Sequence, residues 1–237
     1  MKKKYITPGG RVPSIALDIL EQPHTLIAGT TGSGKSVLLN TIIYTLLHFA
    51  PCQKQMILID PKKVDLRKYR KLEHTIIHAD DLTKILRALR YAESLMDKRY
   101  KQMTRKDLEL YQGVDVYIII DELSDILIDS ARKEVLPILT RLTRLGRASR
   151  IHVIGGTQCP NRKTLSAEFA ANCPARVGLR CREGIESRQI IGCNDCIELP
   201  MYGEGFYISP QYRDPVLVKV PMIESEEINR LIKYWTH

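Results

Sequence analysis

Gly29-Thr-Thr-Gly-Ser-Gly-Lys35-Ser36 constrains this chain more than any other stretch. It fits GxxxxGK[ST] at every fixed position, with an apolar strand-like run (25–28) before it and an apolar helical pattern after it. A strand must deliver such a loop and a helix must start on it, so the chain needs an α/β core. The glycines let the backbone curl until several N–H groups converge on phosphate oxygens. The helix N-terminus adds its partial positive charge. Gly29, Thr30, Thr31, Gly32, Ser33, Gly34, Lys35, Ser36 and Val37 form the expected nucleotide cradle. Within it Lys35 sets an ammonium against the outer phosphates, and the Ser36 hydroxyl is a magnesium ligand.

The same alternation continues along the chain. Apolar runs at 25–28, 56–60, 75–77, 116–120, 152–155 and 176–179 read as strands, and helical patterns fall at 35–48, 81–103, 130–146, 163–171 and 224–235. Apolar runs without strict polar alternation, separated by helices, suit a parallel sheet buried on both faces. Residues 205–209 and 216–220 read as a hairpin set off by Pro210 and Pro215. The expected fold is therefore α/β, three-layered and mainly parallel, with a C-terminal hairpin plus helix. Residues 1–23 read as a turn-rich leading segment and 24–237 as one nucleotide-binding domain.

A phosphate loop needs a carboxylate on a nearby strand. Tyr117-Ile-Ile-Ile-Asp121-Glu122 supplies two acids at a strand's C-terminal end, where α/β sites lie. Asp121 is the expected second magnesium ligand, through water, and Glu122 the general base on the attacking water. Asp60, at the end of Ile57-Leu-Ile-Asp60, is a rival for the magnesium role. The chain has no Asn-Lys-x-Asp sequence of the kind that reads guanine, and a small-molecule kinase does not need the second acid. ATP hydrolysis with Mg²⁺ is the chemistry these residues favour. A third run ends in Gly155-Gly156-Thr157-Gln158, where Gln158 can sense the terminal phosphate or orient water; a plain strand-to-loop turn is the alternative.

Composition narrows the setting. The net charge is +9, from 36 Lys+Arg against 27 Asp+Glu, which calls for an anionic partner without naming it. No apolar run reaches the ~18 residues of a membrane span, and no signal-peptide core follows the basic start. Six cysteines then read as reduced thiols in a cytoplasmic protein, and Cys193-Asn-Asp-Cys196 lacks the second ligand pair of a zinc site. Basic residues cluster at 61–71 and 98–106, and Arg141, Arg144, Arg147 and Arg150 recur every three residues. Such runs are either solvated faces or phosphate contacts.

Taken together these residues resemble the motor domain of the FtsK/SpoIIIE DNA translocases, within the wider FtsK–HerA group. The likeness runs through His24–Val37, Leu58-Ile-Asp-Pro-Lys62, Met96–Met103, Ile120–Asp125, Gly146–His152, Thr157-Gln158, Ile185–Arg188, Gly203-Glu-Gly205 and 225–235. The resemblance implies a RecA-like core, a homo-oligomeric ring (a hexamer) around double-stranded DNA, and ATP between subunits. It makes Arg147 the arginine that completes a neighbour's site, and Arg188 a second intersubunit or sensing candidate. Two positions depart from the family pattern. Cys159 replaces the arginine of Thr-Gln-Arg-Pro, with Arg162 nearby, and Arg150 stands where glycine is common. A lone motor without anchor or DNA-reading domain is expected on a mobile element, plasmid or phage. A protein-secretion or conjugation/packaging ATPase and an ATP-dependent assembly adaptor with little turnover are the competing readings.

Overall fold

In the computed structural model, which describes residues 14–161, 165–212 and 214–236, one sheet forms the middle layer. Its strands are β1 (His24–Ala28), β2 (Lys54–Ile59), β3 (Thr75–Ala79), β4 (Asp115–Ile120), β5 (Ile151–Thr157), β6 (Ala175–Gly178), β7 (Glu204–Ile208) and β8 (Val216–Lys219). They lie in the order β3-β2-β4-β5-β1-β6-β7-β8. Strands β1 to β6 pair in parallel, and the hairpin β7–β8 adds antiparallel to β6.

Helices cover both faces: α1 (Ser14–Glu21), α2 (Lys35–Leu46), α3 (Leu82–Lys106), α4 (Leu123–Ile126), α5 (Asp129–Ser149), α6 (Ala167–Ala171), α7 (Gly184–Ile191) and α8 (Ser225–Tyr234). The pleat of β4 sorts its side chains between the two outer layers. Ile118 and Ile120 join Leu89 of α3 and Val135 and Leu139 of α5 on one face. Tyr117 and Ile119 join Ile19 of α1 and Leu38 and Ile42 of α2 on the other. Each fully buried aliphatic side chain of this kind contributes about 1.5–3 kcal/mol. The run 116–120 is apolar throughout because both of its faces are covered.

The expected strands, hairpin and long helices are present, with ends shifted by a few residues. Of the 163–171 helix, residues 163–164 lie outside the described residues and α6 begins at Ala167. The leading segment 1–23 departs from its turn-rich reading. Residues 14–21 form α1, whose Ile15, Ala16, Ile19 and Leu20 are buried in the α2 layer. Helix α7 lies where the residues alone assign no element; its N-terminus is closed by a capping box between Glu183 and Glu186.

The departure at 150 has a backbone cause. Helix α5 ends on Arg150, whose φ of 56° is left-handed. Glycine takes that conformation freely, whereas another residue pays roughly 1–2 kcal/mol. Arg150 recovers this through a forked ion pair: Nε and Nη2 donate to Asp115 at 2.6 and 2.8 Å.

Two features of the sheet position the site. The parallel strands end on one edge, with Ala28 level with Thr157 and Ile120 level with Gly155. Strand β5 lies between the loop strand β1 and the acid strand β4, so the residue after β5 faces both.

Candidate active site

The phosphate loop leaves β1 at Gly29 and feeds α2 at Lys35. Gly32 (φ 81°) and Gly34 (φ 99°) take left-handed turns that bring the loop round to the helix N-terminus. Thr30 N–H and Oγ1 both donate to Arg180 O, at 2.9 and 3.2 Å, which ties the loop to the end of β6. Ser33 Oγ is buried without a hydrogen-bond partner among the described residues, as a group awaiting an acceptor would be.

Lys35 and Asp121 form the centre. Lys35 Nζ donates to Asp121 Oδ1 and to Asp121 O, each at 2.6 Å, and both residues are almost completely buried. The close approach needs Gly156, because a β-carbon there would stand 2.5 Å from Asp121 O and 3.3 Å from Lys35 Cδ. Burial raises the Asp121 carboxyl above its ordinary value; Lys35 opposes the shift, while Asp65 and Glu122 reinforce it. An acid in that position gains from a nearby cation. Asp121 and the Ser36 hydroxyl are hard oxygen donors of the type Mg²⁺ takes, so the residues fit that ion. Ser36 Oγ itself donates to Asp65 Oδ2 at 2.9 Å. Asp60 closes its own loop, where Leu66 N–H donates to its Oδ2 at 3.0 Å, while its buried Oδ1 has no hydrogen-bond partner among the described residues.

Glu122 is held from several sides. Gln158 N–H donates to both of its oxygens at 3.1 Å, and Ser124 Oγ donates to Oε1 at 2.6 Å. Lys62 Nζ lies 3.6 Å from Oε2 and 3.9 Å from Asp125 Oδ2. The Gln158 side chain faces the loop, where Thr31 Oγ1 donates to its Oε1 at 2.8 Å. Gln158 therefore bridges the phosphate loop and the second acid, beyond what a strand-to-loop turn requires.

The structure thus brings together Lys35, Ser36, Asp121, Glu122 and Gln158, and leaves Arg147 elsewhere. Arg147 is exposed in the last turn of α5 and lines a cavity of about 950 Å³ with Lys54, Asp115 and Arg150. That cavity lies at the N-terminal ends of the strands, and β5 alone spans roughly 20 Å of separation. Arg188 sits on α7 and donates to Asn194 Oδ1 at 2.6 Å. Arg162 lies outside the described residues. The residues alone give Lys62, Asp65 and Arg180 no role in the site: Lys62 falls in a basic run, and the other two act through loop contacts that leave no spacing signal.

The basic runs divide in the same way. Arg99 is buried, donating to Ser149 O at 2.7 Å and lying 4.5 Å over the Tyr111 ring. Arg141 pairs with Glu93 and Asp97, and Arg150 with Asp115. Arg144, Arg147 and most of the 61–71 run stay exposed.

Strand order, phosphate loop and strand-end acids define a RecA-like P-loop ATPase. The FtsK/SpoIIIE family model matches residues 9–115. The DNA translocase FtsK of Leptospira interrogans is 34% identical over 92% of this chain, and that of Borreliella burgdorferi 30% over 93%. The chain belongs to the FtsK/SpoIIIE family. It spans 25% and 30% of the length of those two relatives. Among solved structures, the pCW3 conjugation coupling protein TcpA with ATPγS superposes with a TM-score of 0.78 at 22% identity, covering 92% of this chain and 66% of that one. The cytoplasmic domain of the type VII secretion ATPase EccC of Thermomonospora curvata gives 0.76 at 24% identity, covering 90% and 28%. Among the described residues no helix is long and apolar enough to cross a membrane.

Proposed function

We propose that residues 24–237, preceded by the 1–23 segment, form a motor domain that hydrolyses ATP to move along double-stranded DNA. The observation that carries the reading is the continuous contact from Thr31 through Gln158 to Glu122, beside the Lys35–Asp121 pair. The loop that grips phosphate is thereby joined to the acid that activates water. In the reaction, a water oxygen bonds to the γ-phosphorus, its proton passes to Glu122, and the bond to the β-phosphate oxygen breaks to release ADP. Lys35 offsets charge on the β- and γ-phosphates, and Gln158 orients the water. Ser36 and Asp121 would hold Mg²⁺, which would supply further charge neutralisation.

Arg147 faces the wrong end of its own sheet and serves a neighbouring copy, which supports a ring, a hexamer in this reading. The exposed basic residues grip DNA phosphates without reading sequence, so binding weakens with salt. The setting is the cytoplasm of a cell carrying a mobile element, plasmid or phage. A second reading, a conjugation or secretion ATPase, is favoured by the fold likeness to TcpA and EccC.

The test is ATP turnover without DNA, with single-stranded DNA and with duplex DNA, using Lys35→Ala as the dead control. Duplex-specific stimulation of several-fold is expected. Turnover indifferent to duplex DNA at low salt sinks the translocase reading and leaves the secretion reading.

A further inference from the structure

Lys62 opens the most basic stretch of the chain, which composition alone leaves as either a solvated face or a phosphate contact. The structure directs it elsewhere. Its ammonium lies between two carboxylates, 3.6 Å from Glu122 Oε2 and 3.9 Å from Asp125 Oδ2. A lysine engaged by two acids must leave both to reach a phosphate backbone.

The position is built. Lys62 follows β2, the strand next to β4, so it emerges beside the acids that end β4. Its loop is closed by Leu66 N–H donating to the buried Asp60 carboxylate at 3.0 Å. The left-handed Lys63 (φ 62°) turns the chain, and Asp65 is pinned to the phosphate loop by Ser36. One short loop therefore touches the phosphate-loop serine at one end and the second acid at the other.

The two oxygens of Glu122 differ. Oε1 accepts from Ser124 Oγ, Ser124 N–H and Gln158 N–H, which fills it. Oε2 accepts only the Gln158 N–H bond among the described residues, and it is the oxygen that Lys62 faces. An oxygen that takes a proton from water needs an open lone pair, and Oε2 keeps one, since Lys62 at 3.6 Å attracts it by charge from beyond hydrogen-bond distance. We infer that Lys62 is a positioning residue: it holds Glu122 with Oε2 turned toward the reacting water. This rests on Glu122 being the general base.

The experiment measures DNA-free ATP turnover in Lys62→Met and Lys62→Arg, alone and with Glu122→Gln, alongside duplex-DNA affinity against salt. Lys62→Met is expected to lower kcat about tenfold with KM for ATP within about twofold, from loss of one close charge. Lys62→Arg restores at least about half of kcat. In the Glu122→Gln background, under single-turnover conditions, Lys62→Met adds less than about a twofold loss. Three results overturn the inference. The first is normal DNA-free kcat with weaker DNA binding and a salt slope shallower by about 1, the behaviour of a phosphate contact. The second is an equal tenfold loss in both backgrounds, which separates Lys62 from Glu122. The third is full turnover in Glu122→Gln alone, which removes the base on which the inference depends; a Lys62→Met loss persisting there marks that the base reading failed rather than the lysine's importance. Lys62 is 39% exposed, and an unchanged melting temperature shows that the variant is folded.

Discussion

Asp115 opens β4 and Asp121 follows its last residue; both are buried, 7% and 1% exposed, and both pair with cations. Their surroundings pull in opposite directions. Burial works against ionisation of Asp115, yet hydrogen bonds from His152 and Arg150 and the charge of Lys54 hold its carboxyl far below the usual carboxylate range. Burial also works against Asp121, and there Lys35 meets two opposing acids, so the carboxyl stays above its usual value. One end of the strand is saturated and reads as structure. The other end is left short of positive charge and reads as a site.

The sharpest test of that contrast acts on the short end. Glu122→Gln should lower turnover about 10³-fold while ATP binding is kept, measured by single-turnover hydrolysis and by equilibrium binding. Asp115→Asn should do the reverse. It takes the carboxylate from Arg150 and leaves the buried Lys54 with the Tyr117 hydroxyl as acceptor, and should cost about 3 kcal/mol of stability in denaturant melts, with ATP affinity nearly unchanged. Asp121→Asn should cost less than about 1 kcal/mol while abolishing most turnover; if it destabilises as much as Asp115→Asn, the two ends do not differ in kind.

Acid separates them further. The folded Asp115 value lies below the unfolded one, so its contribution is present above about pH 4 and is lost as pH falls further. The stability gap between wild type and Asp115→Asn should therefore close below pH 4. Burial, with His152 second, lowers His24 to about 3. A depressed histidine makes the fold lose stability as pH drops below about 6.5, by up to about 1.4 kcal/mol per unit until its folded value is reached. His24→Asn should flatten that slope between pH 6 and 4 in urea melts. The smallest effect is expected at the helix end. Arg150→Gly removes the left-handed strain and the ion pair together, and should cost only about 1 kcal/mol.

What could be read from the residues follows from where each signal lives. The sheet was legible because runs such as 116–120 are apolar on both faces, and that pattern has few folds to serve. The phosphate loop and Asp121-Glu122 were legible because their chemistry is contiguous. Helices α1 and α7 were not, since eight residues give barely two turns of periodicity and Gly184 imitates a loop. The basic runs misled most. Spacing cannot tell Arg144, exposed, from Arg141 or Arg150, each committed to a carboxylate. Lys62 was hidden for the same reason, because its partners are about sixty residues away and meet it only once β2 and β4 pair.

The left-handed Arg150 also sets an order in which this chain can change. A neutral residue at 115 placed first leaves Arg150 strained and takes away the carboxylate it pairs with. Glycine at 150 placed first leaves Asp115 with Lys54 at 3.2 Å and His152 at 3.3 Å. Glycine at 150 is therefore the milder first step, and a neutral residue at 115 should cost less stability once position 150 is glycine than while Arg150 is present.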